Sequence, residues 1–119
     1  MFDTLDDSNF MLFAAKSYDA SYFDQLEFEE DLKRIKYIKR LFRKYTITGD
    51  IKIRLVLNHI IVLQNVFGAD VAISLLLFKV DRHYWPVLKA CLDYLGYLYP
   101  HELNDIEIDS NVEGMLKEL

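Results

Sequence analysis

Apolar residues are densest in the middle of the chain, between Ile51 and Val80. The stretch reads IKIRLVLNHIIVLQNVFG followed by ADVAISLLLFKV, and its apolar positions cover nearly every side of a helical wheel. Such helices are normally buried, and Gly68 marks a break between two of them because glycine is favoured where helices end. We therefore predict a buried helical hairpin at the centre of the core, with Asp70 as the N-cap of its second helix.

Three polar residues interrupt the first helix of this hairpin, and we call them the polar seam: Arg54, Asn58 and Asn65. Their spacing of i, i+4 and i+11 places them on one narrow side. One interpretation is a polar site in an apolar scaffold, as an enzyme would need. The interpretation that we favour is a buried hydrogen-bond network, or a strip that meets solvent or a partner. His59 lies on a different side, and no further metal ligand follows it at helical spacing.

An amphipathic helix is predicted from Asp24 to about Tyr45, with Asp24 and Glu27 as a capping box. One face is apolar. The opposite face carries closely spaced cations with an aromatic residue among them, and we call it the basic face: Lys33, Lys36, Tyr37, Arg40, Arg43 and Lys44. Two interpretations stay open. The face is either a strip that binds phosphate or acidic groups, or a solvated surface neutralised by acidic segments of the same chain.

Weaker patterns complete a prediction of about five helices. A short helix is predicted over residues 8–18, Pro86 fits the first turn of a helix that reaches Leu98, and Pro100 stops that helix. The remaining tail is acidic, with a last short helix opening at Ser110. We predict an all-α, compact single domain with its core at about residues 8–100 and a more loosely packed tail at 101–119.

Charge is distributed in blocks that the net charge of −5 conceals. Residues 1–31 carry a balance of −8, residues 32–54 a balance of +8, and residues 101–119 a balance of −5. Blocks of this kind indicate either pairing within the chain or a docking face. Apolar residues make up 52% of the chain, which is typical of a folded protein. No run of about 18 uninterrupted apolar residues occurs, so we expect no membrane span.

Signatures of catalysis are missing from the sequence. The four glycines are far apart, so they form no phosphate-binding loop, and His59, His83 and His101 lack the spacing of a metal site. Cys91 is the single cysteine, and its helical context predicts a buried, inert thiol. We expect no catalytic residue, no metal and no cofactor. The acidic first residues and the single cysteine predict a reducing, cytoplasmic setting.

Two stretches, FEEDLKRIKYIKRLFRKY (residues 28–45) and IRLVLNHIIVLQNVFG (residues 53–68), carry a family resemblance. Together with FMLFAAKSYD and YWPVLKACLDYL, they resemble a family of small tailed-phage proteins, of marine and cyanobacterial myovirus type, whose function is unknown. The resemblance covers about residues 8–100. It implies expression in an infected bacterial cytoplasm or presence in the virion, and it supplies no catalytic residues.

These observations favour a non-enzymatic accessory protein that docks to a protein partner, with a homodimer as a further possibility because apolar residues are in surplus. The first alternative is a nucleic-acid-binding protein that uses the basic face, with Tyr37 stacking on a base. We expect that binding to be weak because acidic segments flank the face, and to increase when residues 101–119 are removed. The second alternative is an enzyme with its site at the polar seam.

Overall fold

The computed structural model describes the backbone of residues 22–119 and the side chains of residues 32–119. This part of the chain contains no strand, which confirms the prediction of an all-α fold. The helix predicted over residues 8–18 lies outside the described residues. The five described α-helices are α1 (Tyr22–Thr48), α2 (Ile53–Phe67), α3 (Ala69–Lys79), α4 (Trp85–Leu95) and α5 (Ser110–Lys117). Two 3-10 turns, Arg82–Tyr84 and His101–Leu103, join the later helices.

Helix α1 extends beyond its predicted bounds at both ends. It already includes Tyr22, so Asp24 lies inside the helix and the prediction that it is the N-cap is wrong. The helix continues to Thr48 and stops at Gly49, whose φ of 70° is the left-handed conformation that glycine adopts readily. Ile35, Ile38 and Phe42 recur at helical spacing and are fully buried, so one side of α1 faces the core.

Helices α2 and α3 form the predicted central hairpin and make the most extensive contact between any two described elements. Gly68 separates them with φ 85° and ψ 155°, a conformation that only glycine adopts without strain. The same residue precedes α3, which begins at Ala69. Asp70 is therefore in the first turn of α3 and not at its N-cap, because glycine alone makes the break.

Helix α4 begins as predicted and ends earlier. Pro86 lies in its first turn, and the indole Nε1 of Trp85 donates to the carbonyl oxygen of Val80 at 3.1 Å. The helix ends at Leu95 because Gly96 adopts a left-handed conformation (φ 79°), so the predicted extension to Leu98 is wrong. Cys91 is fully buried, and burial raises the pKa of its thiol to about 12, which confirms an inert residue.

Residues 101–119 pack more tightly than expected. Leu103, Val112 and Leu116 are buried in the same core as the helical hairpin. The Lys89 ammonium donates to the carbonyl oxygen of Ile106 at 2.8 Å, which fixes the extended stretch before α5. The N-cap of α5 is Asp109, whose Oδ1 accepts from the backbone N–H of Val112 at 3.0 Å.

Candidate functional site: a basic pocket between α1 and α2

A surface pocket of about 400 Å³ lies between α1 and α2. Helix α1 supplies five of the side chains and α2 supplies the sixth. Residues at i, i+3, i+4 and i+7 of a helix share one side, which is why α1 presents so many cations to one opening. We call this site the basic pocket, and the described residues that line it include four cations and no carboxylate: Lys33, Arg34, Lys36, Tyr37, Arg40 and His59.

His59 is held in the basic pocket by two residues of α1. The Arg34 guanidinium Nη1 lies 3.4 Å from the imidazole Nδ1, a long hydrogen bond. The Tyr37 ring packs edge-on against the imidazole, with 5.1 Å between ring centroids and 72° between ring planes. Burial and the neighbouring positive charge of Arg34 both lower the pKa of His59. The imidazole is therefore neutral at neutral pH.

The predicted basic face and the basic pocket overlap but are not identical. Four of the six predicted residues line the pocket: Lys33, Lys36, Tyr37 and Arg40. The other two, Arg43 and Lys44, are exposed and extend the row of cations along α1. Whether this face binds a ligand stays a prediction, but the structure gives it a concave centre.

Sequence reasoning missed the contribution of His59. It considered this residue as a metal ligand, whereas the structure places it beside Arg34 and Tyr37, more than twenty residues earlier in the chain. Within the sequence, the only available signal was that His59 lies on a different side of α2 from the polar seam. Such a signal identifies a side of a helix and not the neighbour that packs against it.

The polar seam is on the surface. Arg54, Asn58 and Asn65 are all exposed, and Ile61, which is exposed as well, lies between them on the same side of α2. The predicted buried hydrogen-bond network is thus wrong. Whether the exposed seam forms a polar site, meets a partner or only meets solvent stays a prediction. None of its residues lines the basic pocket.

A second, smaller pocket of about 220 Å³ lies where α3 meets the segment after α4. The Tyr99 hydroxyl at this pocket donates to Asp93 Oδ1 at 2.7 Å, and that hydrogen bond raises the pKa of Tyr99 to about 12. The described lining contains one carboxylate and no cation: Asp70, Ile73, Ser74, Leu98, Tyr99 and Pro100. Of these two pockets, the basic pocket is therefore the stronger candidate for binding an anion.

Among the described side chains, those of residues 32–119, no group of three or more His, Cys, Asp and Glu is placed to hold a metal ion. No helix in the same part of the chain is long and apolar enough to cross a membrane.

Comparison with known proteins identifies a family. The family of unknown function DUF7207 matches residues 1–119, so the chain belongs to that family over its whole length. The match includes residues 101–119, in agreement with the tight packing of that segment. Neither the curated proteins nor the solved structures give a match.

Proposed function

We propose that this DUF7207 member is a non-catalytic binding domain that docks an acidic segment of a protein partner on its basic face. The observation that carries the proposal is the basic pocket, where the described lining of about 400 Å³ consists of four cations and two aromatic side chains. Carboxylates of a partner would find charge-assisted donors there, which form stronger hydrogen bonds than neutral ones. Exposed Arg43 and Lys44 would guide the rest of an acidic segment along α1.

One observation favours a protein partner over nucleic acid. The whole chain carries a net charge of −5, which repels a long polyanion more than it repels a short acidic segment.

Removal of residues 101–119 is not a useful test of nucleic-acid binding, because it would remove buried core residues as well.

The cellular setting is a separate part of the proposal. The resemblance to tailed-phage proteins supports an accessory protein that acts in an infected bacterial cytoplasm or in the virion. Exposed apolar side chains such as Ile47, Phe78 and Leu98 would support self-association, and sedimentation at micromolar concentration would test it.

The docking proposal is tested by charge reversal on the basic face. We expect the full chain to bind a peptide rich in Asp and Glu, and R40E/R43E to weaken that binding by about tenfold or more, the equivalent of about 1.4 kcal/mol. The control K52E/K117E makes the same change in net charge at two exposed residues that do not line the pocket.

Isothermal titration calorimetry at low and physiological salt gives the affinities, with single-stranded DNA as a competitor. Equal loss of binding in both double variants would show that net charge alone attracts the peptide. Tighter binding of DNA than of the peptide would replace the protein partner by nucleic acid.

A further inference from the structure

Ile47 is an exposed apolar residue at the end of the basic face. It lies in the last turn of α1, which ends at Thr48, and its side chain is 83% exposed. Among the described side chains of α1, no other large apolar one is exposed. Single exposed apolar residues are common on protein surfaces, so the exposure alone indicates no function.

The position of Ile47 relative to the cations is what distinguishes it. At about 100° per residue, Arg40, Arg43 and Lys44 lie within about 60° of it on the helical wheel. All three cations are exposed. They precede Ile47 by about 4.5–10.5 Å along the helix axis, at about 1.5 Å per residue. The basic face therefore ends in an apolar residue on the same side of the helix.

The cations next to Ile47 contribute apolar surface as well as charge. Arg43 and Lys44 stand three and four positions before it, the spacing at which side chains of a helix are neighbours. Arginine and lysine carry aliphatic stems that cover apolar surface while their charged heads stay in water. A partner side chain at Ile47 would thus meet apolar groups, and carboxylates beside it would meet the charged heads.

We propose that the acidic segment of the protein partner carries a bulky apolar side chain that packs against Ile47. The inference rests on the proposed function, because it takes the basic face as the docking surface and adds a second requirement for the partner. An extended segment advances about 3.3 Å per residue, so its acidic residues belong about two and three positions from the apolar one. Charge alone accepts any acidic segment, whereas an apolar contact at a fixed spacing selects among them.

Cations beside an apolar residue also occur on surfaces that bind anionic lipids. Attachment of a helix to a membrane grows with the apolar area that it buries there. Within the described side chains of α1, Ile47 alone supplies such an exposed area, which is little to insert. A protein segment needs only one side chain to pack against it, so we favour the protein, and lipid binding is one outcome of the test.

The test compares three acidic peptides. The first has a central leucine with acidic residues two and three positions away on both sides, so that either chain direction can fit. The second has alanine in place of the leucine, and the third has the first peptide's composition with the leucine moved to one end. We expect the first to bind the full chain about threefold to tenfold more tightly than the others, because only it buries an apolar side chain beside the cations.

Two matched variants locate the apolar contact. Ile47→Ser and Leu98→Ser each replace an apolar side chain that is largely exposed, and only Ile47 lies on α1. We expect I47S to bring the ratio of the leucine-peptide affinity to the alanine-peptide affinity close to one, and L98S to leave it unchanged. Thermal unfolding of each variant verifies that the fold is retained. Equal reductions of the ratio in both variants would overturn the inference.

Charge and apolar contact are separated by salt. Added salt should weaken the binding of all three peptides, because it screens the attraction between charges. The ratio of the leucine-peptide affinity to the alanine-peptide affinity should keep its low-salt value, since an apolar contact is not screened. A ratio that falls to one with added salt would show that the leucine acts only through the arrangement of charges.

A second measurement identifies the contact directly. The leucine peptide is titrated into the chain with labelled isoleucine methyl groups, and their signals are followed by nuclear magnetic resonance. We expect the Ile47 methyl signals to move and those of Ile61, which is exposed on α2, to stay. Movement of both to the same extent would indicate unspecific binding and would contradict a contact at Ile47.

The outcomes separate the two proposals. If the leucine and alanine peptides bind equally well and R40E/R43E abolishes that binding, the basic face docks acidic segments but the apolar contact is wrong. If phosphatidylserine vesicles bind the chain through Ile47 while the peptide ratio is one, Ile47 faces lipid and the inference is overturned. If no peptide binds at low salt, both proposals fail.

Discussion

Helix α1 makes two polar contacts with elements that are distant in the sequence, one near residue 34 and one near residue 45, and the two contacts differ in kind. Near the start, the Arg34 guanidinium faces His59 of α2 in a pocket whose described lining contains no carboxylate. Near the end, the Tyr45 hydroxyl donates to Asp109 Oδ1 at 3.2 Å, and the same oxygen accepts from the backbone of Val112.

The difference lies in how donors and acceptors are matched. At the Tyr45 end, a carboxylate that caps α5 also receives a hydroxyl from α1, so the contact joins these two helices and stabilises the fold. At the His59 end, four of the six described side chains that line the pocket are cations, so the contact lies on a surface that attracts negative charge. We infer that the first contact is structural and that the second belongs to a binding surface.

The largest loss of stability is expected from a change where residues 101–119 enter the core. The Tyr45–Asp109 contact can stabilise the fold only if this C-terminal segment is an integral part of it. Leu103 is fully buried, so Leu103→Ala should lower the free energy of unfolding by about 2–5 kcal/mol. Urea unfolding followed by the fluorescence of Trp85, the single tryptophan, measures the change.

Leu98 provides the matched control for that experiment. Its side chain is 91% exposed, so Leu98→Ala should change the free energy of unfolding by less than about 0.5 kcal/mol. Similar losses in both variants would contradict the buried position of Leu103 and would remove the basis for treating the C-terminal segment as part of the core.

An intermediate effect is expected at Asp109 itself. Asp109→Ala removes the N-cap of α5 and the acceptor for Tyr45, and should cost about 1–2 kcal/mol of unfolding free energy. Asp109→Asn keeps an oxygen acceptor and a favourable capping residue, so it should cost less than the alanine variant. The same urea experiment checks both, and equal losses in the two variants would show that the carboxylate charge, not the hydrogen bonds, supplies the stability.

The smallest effect is expected at His59 and depends on pH. Because burial and the Arg34 charge hold the pKa of His59 in the folded chain below the ordinary histidine value of 6.5, the unfolded state binds the proton more readily. The contribution of His59 to stability is complete above pH 6.5 and is lost as the pH falls through the lower pKa of the folded state. The groups that face the imidazole from α1 are Arg34 and Tyr37.

The measurement is a series of unfolding curves between neutral and acidic pH for the parent chain and His59→Gln. The difference between their unfolding free energies should favour the parent most at neutral pH and should shrink on acidification. A difference that does not vary with pH would show that His59 is equally protonated in both states, and that Arg34 does not influence its titration.

Much of the fold could be predicted because its determinants are local. The apolar run between Ile51 and Val80 predicts the buried hairpin, and glycines 49 and 68 mark breaks that the backbone makes with positive φ. The predicted helix that reaches Leu98 places Gly96 in its interior, whereas Gly96 ends the helix. A single glycine is compatible with either position, and the apolar residues that follow Gly96 do not distinguish a helix interior from a helix end.

The candidate site could be predicted only in part, for the same reason. Lys33, Lys36, Tyr37 and Arg40 share one side of a single helix, and helical periodicity alone brings them together. His59 could not be assigned to them, because its approach depends on how α2 packs against α1. The exposure of the polar seam was equally undetermined, because a helix that is apolar almost all round does not reveal which narrow strip stays uncovered.

The sequence by itself determined the helical class, the break at Gly68, the start of α4 around Pro86 and the row of cations on α1, since each of these follows from residues within a few turns of one another. Only the tertiary structure decided that His59 completes the pocket, that the polar seam meets solvent and that the acidic tail enters the core. Those outcomes depend on contacts between residues 25 and 64 positions apart, as in Arg34–His59 and Tyr45–Asp109. The physical reason is that such contacts form only when whole helices pack, and packing is a property of complementary surfaces that no local pattern specifies.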